Sequence, residues 1–211
     1  MSIPKFLEMM QKYSADNVFN PYQDVCNHYD NINSPKYRLK VLKDMLQAAE
    51  KKGVDTIWLG RDLGHKGGRR TGLAFTDDLN VNNHLKRWSI LDNPFSNIEN
   101  PIKEQTATVI WSKLQDIQEN IFLWNIFPFH PYIENQHLTN RCHNRVENLV
   151  GKNILLELIG ILKPRKILAI GNDAYNSVEQ LDLNMELKKA RHPSYGGKKD
   201  FLKAIYNEYG I

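Results

Sequence analysis

The chain has 211 residues and very little cysteine: Cys26 and Cys142 are the only two. Two distant thiols supply neither a disulfide framework nor the paired spacing of a zinc or iron–sulfur site. They fit reduced cysteines in a cytosolic protein. No apolar run approaches the ~18–20 residues of a membrane span; residues 154–162 form a short one and include Glu157. The first twelve residues, MSIPKFLEMMQK, lack the long apolar core of a signal peptide. The expectation is a cytoplasmic protein with no membrane association. There is no internal repeat, no low-complexity segment and no convincing linker, so the chain reads as one domain over 1–211, its N-terminal helices (1–53) packing on the core. No motif calls for a metal or a cofactor, and none is expected.

What is present is ordinary in bulk and unusual in places. Hydrophobic residues make up 41% and charged residues 25% of the chain, as in a soluble globular protein. The net charge of +4 permits nucleic acid as a partner without requiring it. The unusual stretch is 56–78, TIWLGRDLGHKGGRRTGLAFTDD. A short apolar run breaks at Gly60 into a loop with five glycines, four cations (Arg61, Lys66, Arg69, Arg70), Asp62 and His65. Glycine allows sharp turns and close approach to a ligand, and the cations suit a polyanion.

Apolar spacing places a helix over 4–13 and another from a Ser34-Pro35 start to Gly53, with Leu39, Leu42, Met45, Leu46 and Ala49 as its buried stripe. Between them, 17–33 is polar and irregular. The strand and glycine loop follow, then a helical segment at 81–88, a loop at 91–103, a helix over 104–119 and a second apolar strand over 120–129, interrupted by Asn125. A long helix covers 145–162, a third strand 166–171, a helix 172–180, a short fourth strand 185–190 and a last helix 200–209. Strands alternating with helices predict an α/β fold with a mostly parallel sheet.

In such sheets, sites form beyond the carboxyl ends of the strands. Three strands here end in unusual chemistry: the glycine loop, the segment LWNIFPFH with Asn125 and His130, and RHPSYGGKK with His192. Each feature also has a plain structural reading. Asp62 can cap a helix or pair with an arginine, Asn125 can sit in a structural hydrogen-bond network, and His192 can be a turn residue. Phe75 can be core, and Lys198-Lys199 a solvated helix start. KGGRR resembles a phosphate loop but lacks the Gly-Lys-Ser/Thr ending of a P-loop.

Together and in this order, GRDLGHKGGRRTGLAF, LWNIFPF and RHPSYGG resemble the three motifs of the uracil-DNA glycosylase superfamily, with a lean toward its mismatch-specific, less uracil-restricted branches. The resemblance implies a three-layer α/β/α sandwich around a short, mostly parallel four-stranded sheet. It also implies a monomeric, monofunctional enzyme that flips a pyrimidine from double- or single-stranded DNA and hydrolyses its N-glycosidic bond. Carried onto this sequence, Asp62 and His192 become the catalytic residues. Gly60, Gly64, His65, Phe75 and Asn125 become the base pocket, with Phe75 stacking and Asn125 reading the base edge. Arg61, Lys66, Arg69, Arg70, Ser194, Tyr195, Gly196, Gly197 and Lys198 become the DNA contacts, Tyr195 as the wedge.

Two departures matter. Leu63 stands where many relatives have proline, and Gly64 stands where the most uracil-selective branch carries a tyrosine that blocks pyrimidine C5. The Gly64 departure implies room for a C5 substituent, so uracil, mispaired thymine and C5-modified cytosine all remain open, in repair or in defence against foreign DNA. Two other readings stand beside this one: a catalytically silent DNA-binding protein of the same fold, and an unrelated α/β phosphate- or nucleotide-binding enzyme using KGGRR as its anion loop.

Overall fold

The computed structural model describes residues 1–95 and 100–211. In chain order the elements are α1 (Ile3–Lys12), β1 (Val18–Phe19), α2 (Ser34–Lys52), β2 (Thr56–Asp62), α3 (Gly68–Thr71), α4 (Val81–Arg87), α5 (Gln105–Leu114), β3 (Ile121–Phe127), β4 (His130–Pro131), α6 (Arg145–Leu162), β5 (Lys166–Ile170), α7 (Asn172–Glu179), β6 (Glu186–Ala190) and α8 (Lys198–Tyr209). The loop read at 91–103 includes residues 96–99, which lie outside the described residues.

β3, β2, β5 and β6 form the main sheet in that order, and every pairing is parallel. Alternation along the strands sorts the core into two layers. Ile57, Leu59, Phe122, Trp124, Ile126, Ile167 and Ala169 face one side, with apolar residues of α1, α2, α6 and α7. Trp58, Ile121, Leu123, Leu168 and Ile170 face the other, with α5 and α8. Helices thus cover both faces, as the α/β/α reading requires. Gly151 lets α6 approach the sheet closely: a β-carbon there would lie 2.2 Å from the Ile126 carbonyl oxygen of β3.

Two features were not foreseen. The irregular segment before α2 contributes β1, which pairs antiparallel with β4. The buried face of α2 contains Arg38, fully enclosed, in place of the half-buried Leu39. Arg38 makes a bidentate pair with Asp30 at 2.8 Å and donates to the carbonyls of Pro21, Asp24 and Arg70. A buried guanidinium is tolerable only with this saturation of its donors. Its position lets one residue tie α2, the N-terminal loop and the glycine loop together. Tyr22 adds a second tie by donating to the Gly72 carbonyl at 2.6 Å. Among the described residues no helix is long and apolar enough to cross a membrane.

His84 of α4 is fully buried, hydrogen-bonded at Nδ1 to the Thr76 hydroxyl at 2.8 Å and unpartnered at Nε2. Burial, with repulsion from Arg87, pushes its pKa down to about 3. The unfolded chain takes up that proton below about pH 6.5 and the folded chain does not. The histidine's contribution to stability is therefore complete above that pH and lost as pH falls toward about 3. His84→Gln removes the effect. Urea unfolding should show the stability gap between parent and variant shrinking by about 2 kcal/mol from pH 6.5 to pH 5. A gap independent of pH would mean that His84 is not held neutral.

Candidate functional site

The carboxyl ends of β2, β3, β5 and β6 open into one cavity of about 1520 Å³, larger than the roughly 300–1,000 Å³ of an ordinary small-molecule pocket. Gly60, on the α5/α8 side of the sheet, stands opposite Asn125 in the β2–β3 pairing. A β-carbon at position 60 would lie 2.4 Å from the Asn125 side-chain oxygen and 2.5 Å from Cζ of Phe75. Glycine here is what lets the amide and the ring approach each other. Phe75 has a left-handed backbone (φ +54°), a conformation costing a non-glycine residue roughly 1–2 kcal/mol. Its carbonyl accepts a 3.0 Å hydrogen bond from the Trp111 indole, which holds the ring in place. Asn125 is 2% exposed and lines the cavity; among the described residues its amide makes no hydrogen bond. An unspent buried amide facing a cavity is available to a ligand.

Asp62 ends β2, and its carboxylate is held on both oxygens. Oδ2 accepts from Nε of the adjacent Arg61 at 2.8 Å, and Oδ1 accepts from Nδ1 of His143. Asn148 in turn donates to Nε2 of His143 at 2.8 Å and lies 2.9 Å from the Ser177 hydroxyl. That pattern places a His143 proton on Nδ1 and keeps the carboxylate in one orientation. Arg61 also pairs with Asp173 at 2.7 Å.

His192 is oriented by its own turn. Nδ1 lies 2.7 Å from the Ser194 hydroxyl and accepts from the Ser194 backbone N–H at 3.3 Å. The ring proton therefore sits on Nε2 and remains free to donate. Burial lowers the pKa of His192, and the Arg61 charge lowers it further against the opposing pull of Asp173. The imidazole is a neutral donor at physiological pH.

Asp62, Gly64, His65, Phe75, Asn125, His192, Ser194 and Tyr195 all line this cavity, with Arg61 and Lys66 at its wall. Tyr195 is 98% exposed, with φ +51°, at the tip of a turn that closes when Gly197 donates to the Ser194 carbonyl. Gly196 (φ +78°) forms the other half of that tip, Gly197 caps α8, and Lys198 is its exposed first residue. Cys142 is free and lines the cavity; Cys26 is free and buried.

Two of the four loop cations expected on the DNA side turn inward. Arg69 is 3% exposed, donates to His130 at 3.1 Å and to the Tyr29 hydroxyl, and lies 3.8 Å from the centre of the Phe19 ring. Arg70 pairs with the buried Asp78 at 2.8 Å and stacks over Tyr29. Both are engaged by internal partners and brace the loop, Arg69 from a buried position and Arg70 from a half-buried one. Within KGGRR, the Arg70 charge is met by Asp78, and the Arg69 charge is buried against His130 and two aromatic rings. His130 is likewise structural: it is fully buried, and burial and Arg69 push its pKa down to about 3. The gap implied at Gly64 is not simply empty either, because the Glu104 carboxyl lies against it.

A model of the uracil DNA glycosylase superfamily matches residues 50–208. The chain belongs to that superfamily. Its members are DNA glycosylases, enzymes that act on DNA. Among solved structures, wild-type SMUG2 of Pedobacter heparinus is similar in fold at a TM-score of 0.63 and 13% identity, over 98% of this chain and 94% of that one. No curated protein matches the sequence. Against this superfamily fold, the residues missed from sequence are His143, which lies 81 positions from its partner Asp62, and Glu104. The only local signal near His143 is the Asn144–Glu147 capping box that starts α6.

Histidine ¹⁵N spectra should report the Nε2–H tautomer of His192 at pH 7 and a titration midpoint below the ordinary 6.5. Arg61→Gln removes a repulsive charge and should move that midpoint upward. A midpoint unmoved, or an Nδ1–H tautomer, would contradict this geometry.

Proposed function

We propose that the protein is a monofunctional DNA glycosylase that flips a pyrimidine, uracil or a C5-substituted base, into this cavity and hydrolyses its N-glycosidic bond. The observation that carries the reading is the convergence of an unspent amide (Asn125), a held aromatic ring (Phe75), an oriented carboxylate (Asp62) and a neutral Nε2–H donor (His192) on one cavity. A flipped base needs a stacking face and hydrogen bonds on its Watson–Crick edge; Phe75 supplies the face, and Asn125 pairs with N3 and the position-4 group. As the N1–C1′ bond breaks, its electron pair leaves with the base and the sugar becomes cationic. His192 donates to O2 of the base as negative charge builds there. The Asp62 carboxylate stabilises the sugar cation and orients the water that adds to C1′, and that water's proton passes to the carboxylate or to solvent. Tyr195 enters the duplex to fill the space of the flipped base, while Lys66, Lys198 and the backbone amides of 194–197 contact phosphates.

His143 acts through Asp62 as a positioning residue. Losing a hydrogen bond to a charged group costs about 1.5–3 kcal/mol, or about 10–100-fold in rate. His143→Ala should lower kcat by that factor with little change in KM, and His143→Asn, whose amide can replace Nδ1–H, should recover part of it. Equal losses in both variants would make His143 merely structural.

The main test is excision from oligonucleotides carrying uracil, a G·T mispair or C5-substituted cytosines. Wild-type protein should leave alkali-labile abasic sites on at least one. Asp62→Asn and His192→Ala should each reduce cleavage by about 10²–10³-fold or more with unchanged melting temperature. Salt-sensitive DNA binding without any abasic product would instead mark a silent DNA-binding protein.

A further inference from the structure

We propose that the protein pairs with a second copy of itself through the outward face of α6, the two helices lying parallel and in register. α6 buries its inner face through Gly151, Ile154, Leu155, Leu158 and Leu162. The outer face of such a helix is ordinarily polar. Here it shows Val146 (70% exposed), Leu149 (61%), Asn153, Leu156 (41%) and Gly160. These positions alternate three and four residues apart, the spacing of a coiled-coil seam. No described residue covers them.

The residues of the seam specify its occupant. Val146, Asn153 and Gly160 take the a positions of the heptad, and Leu149 and Leu156 take the d positions. A β-branched a residue, leucine at d and one central asparagine favour two parallel helices in register. Each a residue then faces its own copy, and the two Asn153 amides hydrogen-bond to each other. Antiparallel helices would set Asn153 against Leu149 of the partner subunit and leave that amide without a partner. Charge points the same way. Lys152 at g and Glu157 at e are five residues apart, the pair that parallel helices bring together across a seam. Among the described residues Lys152 holds only Gln180, at 2.6 Å, and Glu157 only the terminal amine, at 3.5 Å. Gly160 fits as well. A β-carbon there meets nothing within 4 Å, so the chain's own packing does not require a glycine, which weakens a helix. The close approach of a second backbone does require one.

Because α6 is already folded, pairing carries no helix-nucleation cost. A single seam of this length lies below the roughly 1,200 Å² of a stable specific interface, so the dimer is reversible. Its geometry bears on the cavity. Asn144 caps α6; just before it, Arg141 and Cys142 line the cavity and His143 bonds to Asp62. The N-terminal end of α6 therefore lies at the cavity end of the molecule. A twofold axis along two parallel helices turns both cavities the same way, so that one duplex can lie across them. The pairing itself is independent of the reaction.

Sedimentation equilibrium of the full chain over rising concentration should show a monomer–dimer equilibrium. Leu149→Asp, at an exposed position, should weaken pairing at least about 30-fold with unchanged melting temperature. Lys152→Glu should weaken it about 3–10-fold. Combining Lys152→Glu with Glu157→Lys should restore it, and failure to do so overturns the parallel register. Under mild oxidation Gly160→Cys should join the two introduced thiols, because each then stands opposite its copy. Antiparallel helices bring the introduced thiol toward Cys142 of the partner subunit instead, and that crosslink overturns the proposal. A dimer indifferent to Leu149→Asp also overturns it, because it uses another face. So does a chain that stays monomeric at every concentration, as the family resemblance implies, and the seam then falls to a helix of another protein. Each of these results leaves the glycosylase reading standing.

Discussion

Gly60 and Asn125 are partners in the parallel pairing of β2 with β3, and the space a side chain at position 60 would occupy is taken by the Asn125 amide and the Phe75 ring. The rest of the site is arranged around that absent side chain. The ring reaches it only because residues 71–76 fold back under β2 with Phe75 in a left-handed conformation. That fold-back is held by the Trp111 indole on the Phe75 carbonyl and by Thr71 and Thr76 hydroxyls bonded to loop carbonyls. Any larger residue at position 60 would collide with both the amide and the ring and drive them apart.

The glycine loop gains its rigidity from charges that look, in sequence, as if they should face outward. Arg38, Arg69 and Arg70 converge on the N-terminal aromatic segment, where Asp30 and Tyr29 accept from Arg38 and Arg69 and the Phe19 and Tyr29 rings stack on Arg69 and Arg70, while Asp78 beyond the glycine loop accepts from Arg70. Cation–π contacts and directional guanidinium hydrogen bonds favour arginine over lysine at these positions. The N-terminal helices therefore do more than cover the sheet: they anchor the loop that carries Asp62. Lys66, which has no such partner among the described residues, stays at the exposed rim.

Each reactive group in the cavity is set by a neighbour that leaves its working atom free. Ser194 occupies Nδ1 of His192 and leaves Nε2–H. Asn148 occupies Nε2 of His143 and leaves Nδ1–H for Asp62. Fixing protonation and orientation before a ligand arrives is the condition for electrostatic stabilisation without reorganisation. Glu104 is the exception, a carboxyl given space by two glycines and no partner among the described residues.

Much of the architecture was legible in the chain itself. Apolar alternation and helical spacing marked the four strands of the sheet and most helices, because burial imposes those periods on sequence directly. Motif order placed Asp62, Asn125 and His192 at strand ends, and parallel pairing brought them to one cavity. Neither spacing nor composition distinguished Lys66 from Arg69 and Arg70, since a cation next to glycine reads the same whether water or a tyrosine receives it. Glu104 carried no local signal at all, and His143 none beyond the capping box that follows it. Their roles come from contacts across 81 positions for His143 and about 40 for Glu104. Such contacts exist only once the strands and loops are packed, and so tertiary structure alone decided them.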